Sequence, residues 1–146
     1  MKINFNVKSQ IDKELTINQL KQVLFKSMLK MQELATINCP VDTGRLRNSI
    51  NLRPSTPGYT TYQLADGTDY GVNLEFGTSP HFTSASNLKD WSRRVLSDEK
   101  AAYAVRNAIA KRGTEAQPFF RPALIQVKKI WVKRYFEEVL GKGKKV

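Results

Sequence analysis

Tyr70-Gly71-Val72-Asn73-Leu74-Glu75-Phe76, followed by Gly77-Thr78, is the stretch on which the fold class turns. Tyr70, Val72, Leu74 and Phe76 alternate with Asp69, Gly71, Asn73 and Glu75, the period of two that puts one face of a strand in the core. Upstream, Tyr62 and Leu64 carry the same alternation into Asp66-Gly67, so the two runs read as a hairpin. A two-residue loop would pair Leu64 with Asp69. An odd-length loop places Tyr62 and Leu64 on the face of Tyr70 and Val72, so a three-residue or bulged turn is expected at Asp66-Gly67.

Working outward, Ile50 and Leu52 alternate with Ser49, Asn51 and Arg53 until Pro54, Pro57 and Gly58 break the pattern, which gives a short strand and an exposed loop. Ile3, Phe5 and Val7 alternate with Lys2, Asn4, Asn6 and Lys8 as a first strand. Between these lies a helix. Thr16 and Gln19 have capping-box spacing, and Leu20, Val23, Leu24, Met28, Met31, Leu34 and Ala35 recur at helical spacing for about five turns, to Ile37 or Asn38.

The helix is stopped by Pro40-Val41-Asp42-Thr43-Gly44-Arg45-Leu46-Arg47. Pro40 bars Cys39 from the α region, Asp42 and Thr43 can bond nearby N–H groups, and Gly44 offers positive φ, so Arg45 and Arg47 leave a rigid corner. Downstream of Gly77-Thr78-Ser79-Pro80, a polar loop from His81 to Ser86 precedes two short helices. Leu88, Trp91, Val95 and Leu96 mark the first; Ala101, Ala104, Val105, Ala108 and Ile109 mark the second, closed by Lys111, Arg112 and Gly113. Both are expected on the sheet or beside it. In Pro118-Phe119-Phe120-Arg121-Pro122-Ala123-Leu124, Pro122 suits a first helical turn, and Leu124, Val127, Ile130, Trp131 and Tyr135 continue as a stripe to Gly141.

These elements predict one α+β domain over residues 1–146, an antiparallel sheet of about four strands packed by a long N-terminal and a long C-terminal helix, with two shorter helices between. Residues 141–146 form a basic tail. A chain of 146 residues, 40% hydrophobic and 25% charged, can build one core. Lys and Arg number 24 against 13 acids, and the net charge of +11 attracts phosphates or acidic protein surfaces. The single cysteine, Cys39, excludes an internal disulfide and reads as a small buried hydrophobe. The N-terminus lacks a signal-peptide h-region, and no run of about 18 apolar residues occurs, so a soluble protein made inside the cell, with no membrane role, is expected.

No glycine-rich phosphate loop, His-Glu-x-x-His helix or paired cysteines occur, so neither enzyme activity nor a cofactor or metal is expected. Asp42, Glu75 and His81 would make a hydrolase only if the fold brought them into one pocket. The basic residues are spread over every helix, without a helix-turn-helix recognition helix, which leaves electrostatic contact with nucleic acid as the alternative function, a basic nucleic-acid-binding module.

Taken together, Pro40 to Leu46, Tyr70 to Thr78 and Pro118 to Leu124, with Ala110-Lys111-Arg112-Gly113-Thr114 before the last, resemble in order and spacing a phage family. It comprises the tail-completion or head-tail joining proteins of long-tailed double-stranded-DNA phages, often called gene-product-ten-like minor tail components. Gly71-Val72-Asn73 departs from the alanine and aromatic residue more usual in the family. The resemblance implies a non-enzymatic virion protein of the neck or upper tail, assembled in the host cytoplasm into a homo-oligomeric ring. Its partners would be a connector or stopper ring, a tail terminator and the tail tube, with non-specific contact to DNA in the lumen. Under this reading Pro40, Asp42, Gly44, Glu75, Phe76, Gly77, Pro118, Phe119, Phe120 and Pro122 hold the structure. Arg45, Arg47, His81, Lys142, Lys144 and Lys145 are the interface or DNA-facing residues.

Overall fold

The computed structural model describes residues 2–4, 17–54 and 62–141. Helix α1 spans Ile17–Asn38 and buries Val23, Leu24, Ser27, Met28, Met31 and Ala35 along one stripe, the faces that recurrence at three and four residues brings together. Ser27 is tolerated there because its hydroxyl donates to the Val23 carbonyl one turn back, at 2.7 Å. The expected capping box at Thr16 lies outside the described residues. At the other end Cys39 is buried and the helix stops before Pro40, as the proline requires. Burial raises the Cys39 thiol above its ordinary pKa, partly offset by the nearby Arg47, which keeps it a protonated, packed side chain.

After the corner, α2 (Arg45–Ser49) is a single extra turn that buries Leu46 and leads into β2 (Asn51–Pro54). With β1 (Lys2–Asn4) and β3 (Tyr62–Ala65) it forms an antiparallel sheet of order β1-β3-β2. Leu64 of the central strand is fully buried and sits opposite Ile3 on one side and Leu52 on the other. The loop expected after Pro54 and the remainder of the first strand fall outside the described residues.

The expected fourth strand is absent, and with it the hairpin and its odd-length turn. Gly71–Phe76 is instead a helix, α3, so the chain is predominantly helical and the four-stranded α+β reading is wrong. The reason lies in which residues are buried. Gly71 and Glu75, four residues apart, are covered and Leu74 packs on the core, whereas Tyr70, Val72 and Phe76 are exposed. The alternation was real but did not mark the inward face; seven residues are too few to separate a period of two from one of 3.6. At Asp66-Gly67 the Asp66 carboxylate accepts from the Thr68 N–H at 3.2 Å, an Asx turn that redirects the chain without a hairpin.

Helices α4 (Ala85–Leu96) and α5 (Ala101–Arg112) pack principally on each other, not on the sheet, and the loop expected to reach Ser86 stops at the Ser84 N-cap. Gly113 ends α5 where the basic last turn placed it. The C-terminal helix runs as α6 (Phe120–Gln126), a π turn over Val127–Trp131, and α7 (Val132–Gly141). It lies along α1, and this pairing, with Leu46, Ile50 and Leu64, makes the core; the two long helices pack on each other more than on the sheet. Ile130, expected in the apolar stripe, is exposed. The π turn adds one residue to the helical repeat, so the buried series passes from Phe120, Ala123 and Val127 to Val139, with Trp131 and Val132 partly covered between them. Among the described residues no helix is long and apolar enough to cross a membrane.

Candidate interface site

The Pro40 corner forms one wall of an open cleft of about 630 Å³. Tyr70, Asn73 and Leu74 of the α3 region, Trp91 and Val95 of α4, Thr78, His81 and Thr114 complete it. Val41, Tyr70 and Val95 are apolar and about half exposed around it.

Asp42 fixes the corner against α4. Its two carboxylate oxygens accept from Arg94 Nε at 2.8 Å and Nη2 at 2.7 Å, the bidentate fork that makes arginine–carboxylate geometry specific. The hydrogen bonds from Arg94 hold the Asp42 carboxyl below its ordinary range and push Arg94 up. Arg45 begins α2 and lines the cleft, and Arg47 stands in the last turn of α2; both are exposed. Gly44 takes φ +78°, the left-handed conformation in which the chain enters α2. His81, also exposed, places Nδ1 2.9 Å from the Ser79 carbonyl, and because a carbonyl can only accept, this contact puts the proton on Nδ1.

Glu75 has the most demanding position. It is 2% exposed, yet its carboxylate is fully engaged. Oε2 accepts from the Phe119 N–H at 2.7 Å and the Phe120 N–H at 2.9 Å, and Oε1 accepts from the Arg121 N–H at 2.8 Å. The first turn of a helix leaves its leading N–H groups without intrahelical acceptors. Here three are taken by one carboxylate, and the next residue, Pro122, has none to offer. A negative charge at a helix N-terminus is also favoured by the helix dipole. Phe119 and Phe120 cover the junction: both are fully buried, their ring centroids 4.6 Å apart. Pro118 is exposed just before them. Phe76 is exposed too, with the Arg121 guanidinium 5.2 Å from its ring centroid, and the Gln117 N–H donates to the Leu74 carbonyl at 2.8 Å.

Gly77 and Gly113 brace the same junction from the side. Their dihedrals, φ 72° and ψ −177° and φ 76° and ψ −156°, lie in a region only glycine occupies readily. A Cβ at Gly77 would meet the Thr114 carbonyl, and one at Gly113 would overlap the Thr78 carbonyl, so the two strands of the Thr78–Thr114 bridge close only around glycine.

The fold therefore brings Asp42, Arg45 and His81 to one cleft and seats Glu75 behind it on the C-terminal helix. Both Asp42 oxygens are held by Arg94 and both Glu75 oxygens by backbone N–H groups, so the hydrolase arrangement of Asp42, Glu75 and His81 is not assembled. Among the described residues no three His, Cys, Asp or Glu side chains gather as a metal site. Lys142, Lys144 and Lys145 lie outside the described residues. Sequence reasoning did not find Arg94, which looks like any basic residue in a last turn, nor the bracing role of Gly113. The π turn left a trace, the one-residue slip between the stripe ending at Val127 and the one continuing through Val132 and Val139. No protein-family model, no curated protein and no solved structure matches this chain.

Proposed function

We propose that the protein is a structural subunit of a tailed-phage neck or upper tail, acting in head-tail joining or tail completion as part of a ring. The observation that carries this reading is the joining of the motifs on which the resemblance rests. The Glu75 carboxylate of the second motif holds the opening turn of the third, and Gly77 of the second abuts the segment after Gly113. The first motif forms a wall of the cleft beside them. Three short patterns that are weak alone thus lie side by side, two of them bonded at one buried junction and the first beside it across the cleft, an arrangement that suits a subunit that keeps its shape between neighbours.

The surface around that junction supports the same reading. Val41, Tyr70 and Val95 around the cleft and Phe82, 91% exposed on the adjoining loop, are apolar contacts to offer a neighbouring subunit. Arg45 and His81 set polar groups among them. The test is deletion of the gene in the phage that encodes the protein, followed by electron microscopy of the particles. The expected result is separate filled heads and tails, or defective tails; fully infectious particles would overturn the proposal.

A further inference from the structure

From Arg121 to Arg134 the chain carries Arg121, Lys128, Lys129, Lys133 and Arg134 and no acidic residue, and all five are exposed. The π turn decides how they are arranged. Had the helix continued without it, the phase set by Phe120, Ala123 and Val127 would have put Arg134 and Glu138 in the buried stripe and Val139 outside it. With the added residue, Val139 is buried, and Lys128, Lys129 and Lys133 all lie on the exposed, outward half of the helix, Lys129 and Lys133 one above the other.

The two flanks differ in how their charge is met. On the α1 side Lys26 Nζ binds Glu138 at 2.7 Å, Lys30 Nζ binds Glu33 at 2.7 Å, and Lys30 and Arg134 both lie over the Trp131 ring, at 4.4 and 4.9 Å from its centroid. On the outward flank Lys129 and Lys133 stand four residues apart, a like-charge spacing that costs stability on a helix. Lys133 meets Glu137 only loosely, at 3.9 Å between two exposed side chains. A polyanion laid along this flank would relieve that repulsion.

We propose that the outward flank of the C-terminal helix, carried by Lys128, Lys129 and Lys133 with Arg121 above them, follows the phosphate backbone of double-stranded DNA without reading its sequence. Lysine ammonium groups on flexible stems meet phosphates as point charges with no fixed geometry, which suits a backbone that moves past the protein. The one planar, bidentate donor in the row, the Arg121 guanidinium, lies over the Phe76 ring at 5.2 Å from its centroid, so the three lysines carry the contact without the fork that reading a base edge requires. The assignment rests on the neck reading only for the source of the DNA; the binding surface is argued from charge and helix phase.

The experiment measures binding of the full chain to a short duplex of random sequence by fluorescence anisotropy over a series of salt concentrations. Two triple variants are compared, K128Q/K129Q/K133Q and K100Q/K111Q/R112Q, each removing three exposed positive charges from the +11 total. Since each phosphate contact contributes about 0.9 to the slope of log affinity against log salt, the first variant should lower that slope by about 2 to 3. The second should leave it near the wild-type value. Matching circular dichroism and unfolding midpoints keep the comparison one of surface and not of folding. Equal losses in both variants would reduce the effect to net charge and overturn the proposal. So would competition by polyglutamate as strong, per charge, as by duplex, which would point to an acidic protein partner. An infectious deletion phage alongside the expected binding would remove the neck role and leave this surface standing.

Discussion

Apolar burial holds one part of this molecule together and charge tethers the other to it. Along α1 and the C-terminal helix, Met28, Met31, Ala35, Phe119, Phe120, Ala123 and Val127 are buried to 1% exposure or less. Helices α4 and α5 bury only Ala85, Ser92 and Ala102 and leave Val95, Leu96 and Tyr103 about half exposed. The ties from this pair to the rest include the Asp42–Arg94 fork and the Thr78–Thr114 bridge, while Glu99 braces the pair internally, to Arg93 at 2.7 Å and to Lys89 at 3.2 Å. Exposed ion pairs contribute little to global stability, whereas a fully buried large side chain contributes about 1.5–3 kcal/mol. The difference teaches that the helix pair can open locally while the core stays closed, so the cleft between them has one rigid wall and one yielding wall.

Phe120→Ala attacks the rigid part and should have the largest effect, a loss of about 3–5 kcal/mol of unfolding free energy in urea titration. A loss well under 1 kcal/mol would show that the junction is looser than its burial implies. Glu75→Ala should follow, at about 3 kcal/mol, because three backbone N–H groups at a largely buried site lose their charged acceptor. Glu75→Gln, which keeps the volume and one accepting oxygen, should fall between it and wild type. Gly113→Ala, which meets both a glycine-only conformation and the Thr78 carbonyl, should cost about 2 kcal/mol. Hydrogen exchange should place its damage at the bridge before the core.

Arg94→Ala should sharpen the contrast from the other side. It leaves the urea midpoint of the core unchanged and accelerates amide exchange in α4 and α5; a drop in the global midpoint would mean that the two parts unfold as one. Acid should act in the same place. The Asp42 and Glu99 carboxyls are held below their ordinary pKa values of 3.8 and 4.5 by the hydrogen bonds from Arg94 and from Arg93. A carboxylate whose folded pKa is depressed stabilises above its unfolded pKa and loses that contribution as pH falls through the folded value. Exchange in α4 should therefore rise below about pH 4 in wild type and change less in Arg94→Ala, where the Asp42 tether is already gone.

How far the sequence could be read depended on how local each signal was. The end of α1 before Pro40 and the stop of α5 at Gly113 were both legible, because proline and glycine act on their own backbone. The α3 segment was not, since its apolar residues lie on the solvent side and its inward residue is an acid. Glu75 looked like the polar face of a strand because the groups that make its burial tolerable, the N–H donors of Phe119, Phe120 and Arg121, are more than forty residues away. The single turn of α2 gave no periodic signal at five residues.

By itself, then, the sequence determined where the four longest helices run, that the chain is strongly basic, and which corners are stiff. Those properties follow from residue type and short-range spacing. Only the tertiary structure decided that Gly71–Phe76 is a helix, that Glu75 caps the C-terminal helix, that Asp42 ties the Pro40 corner to Arg94, and that a π turn sets which lysines face outward. Each of these depends on a partner distant in the chain, and burying a charge or shifting a helical phase is stable only when that partner is in place.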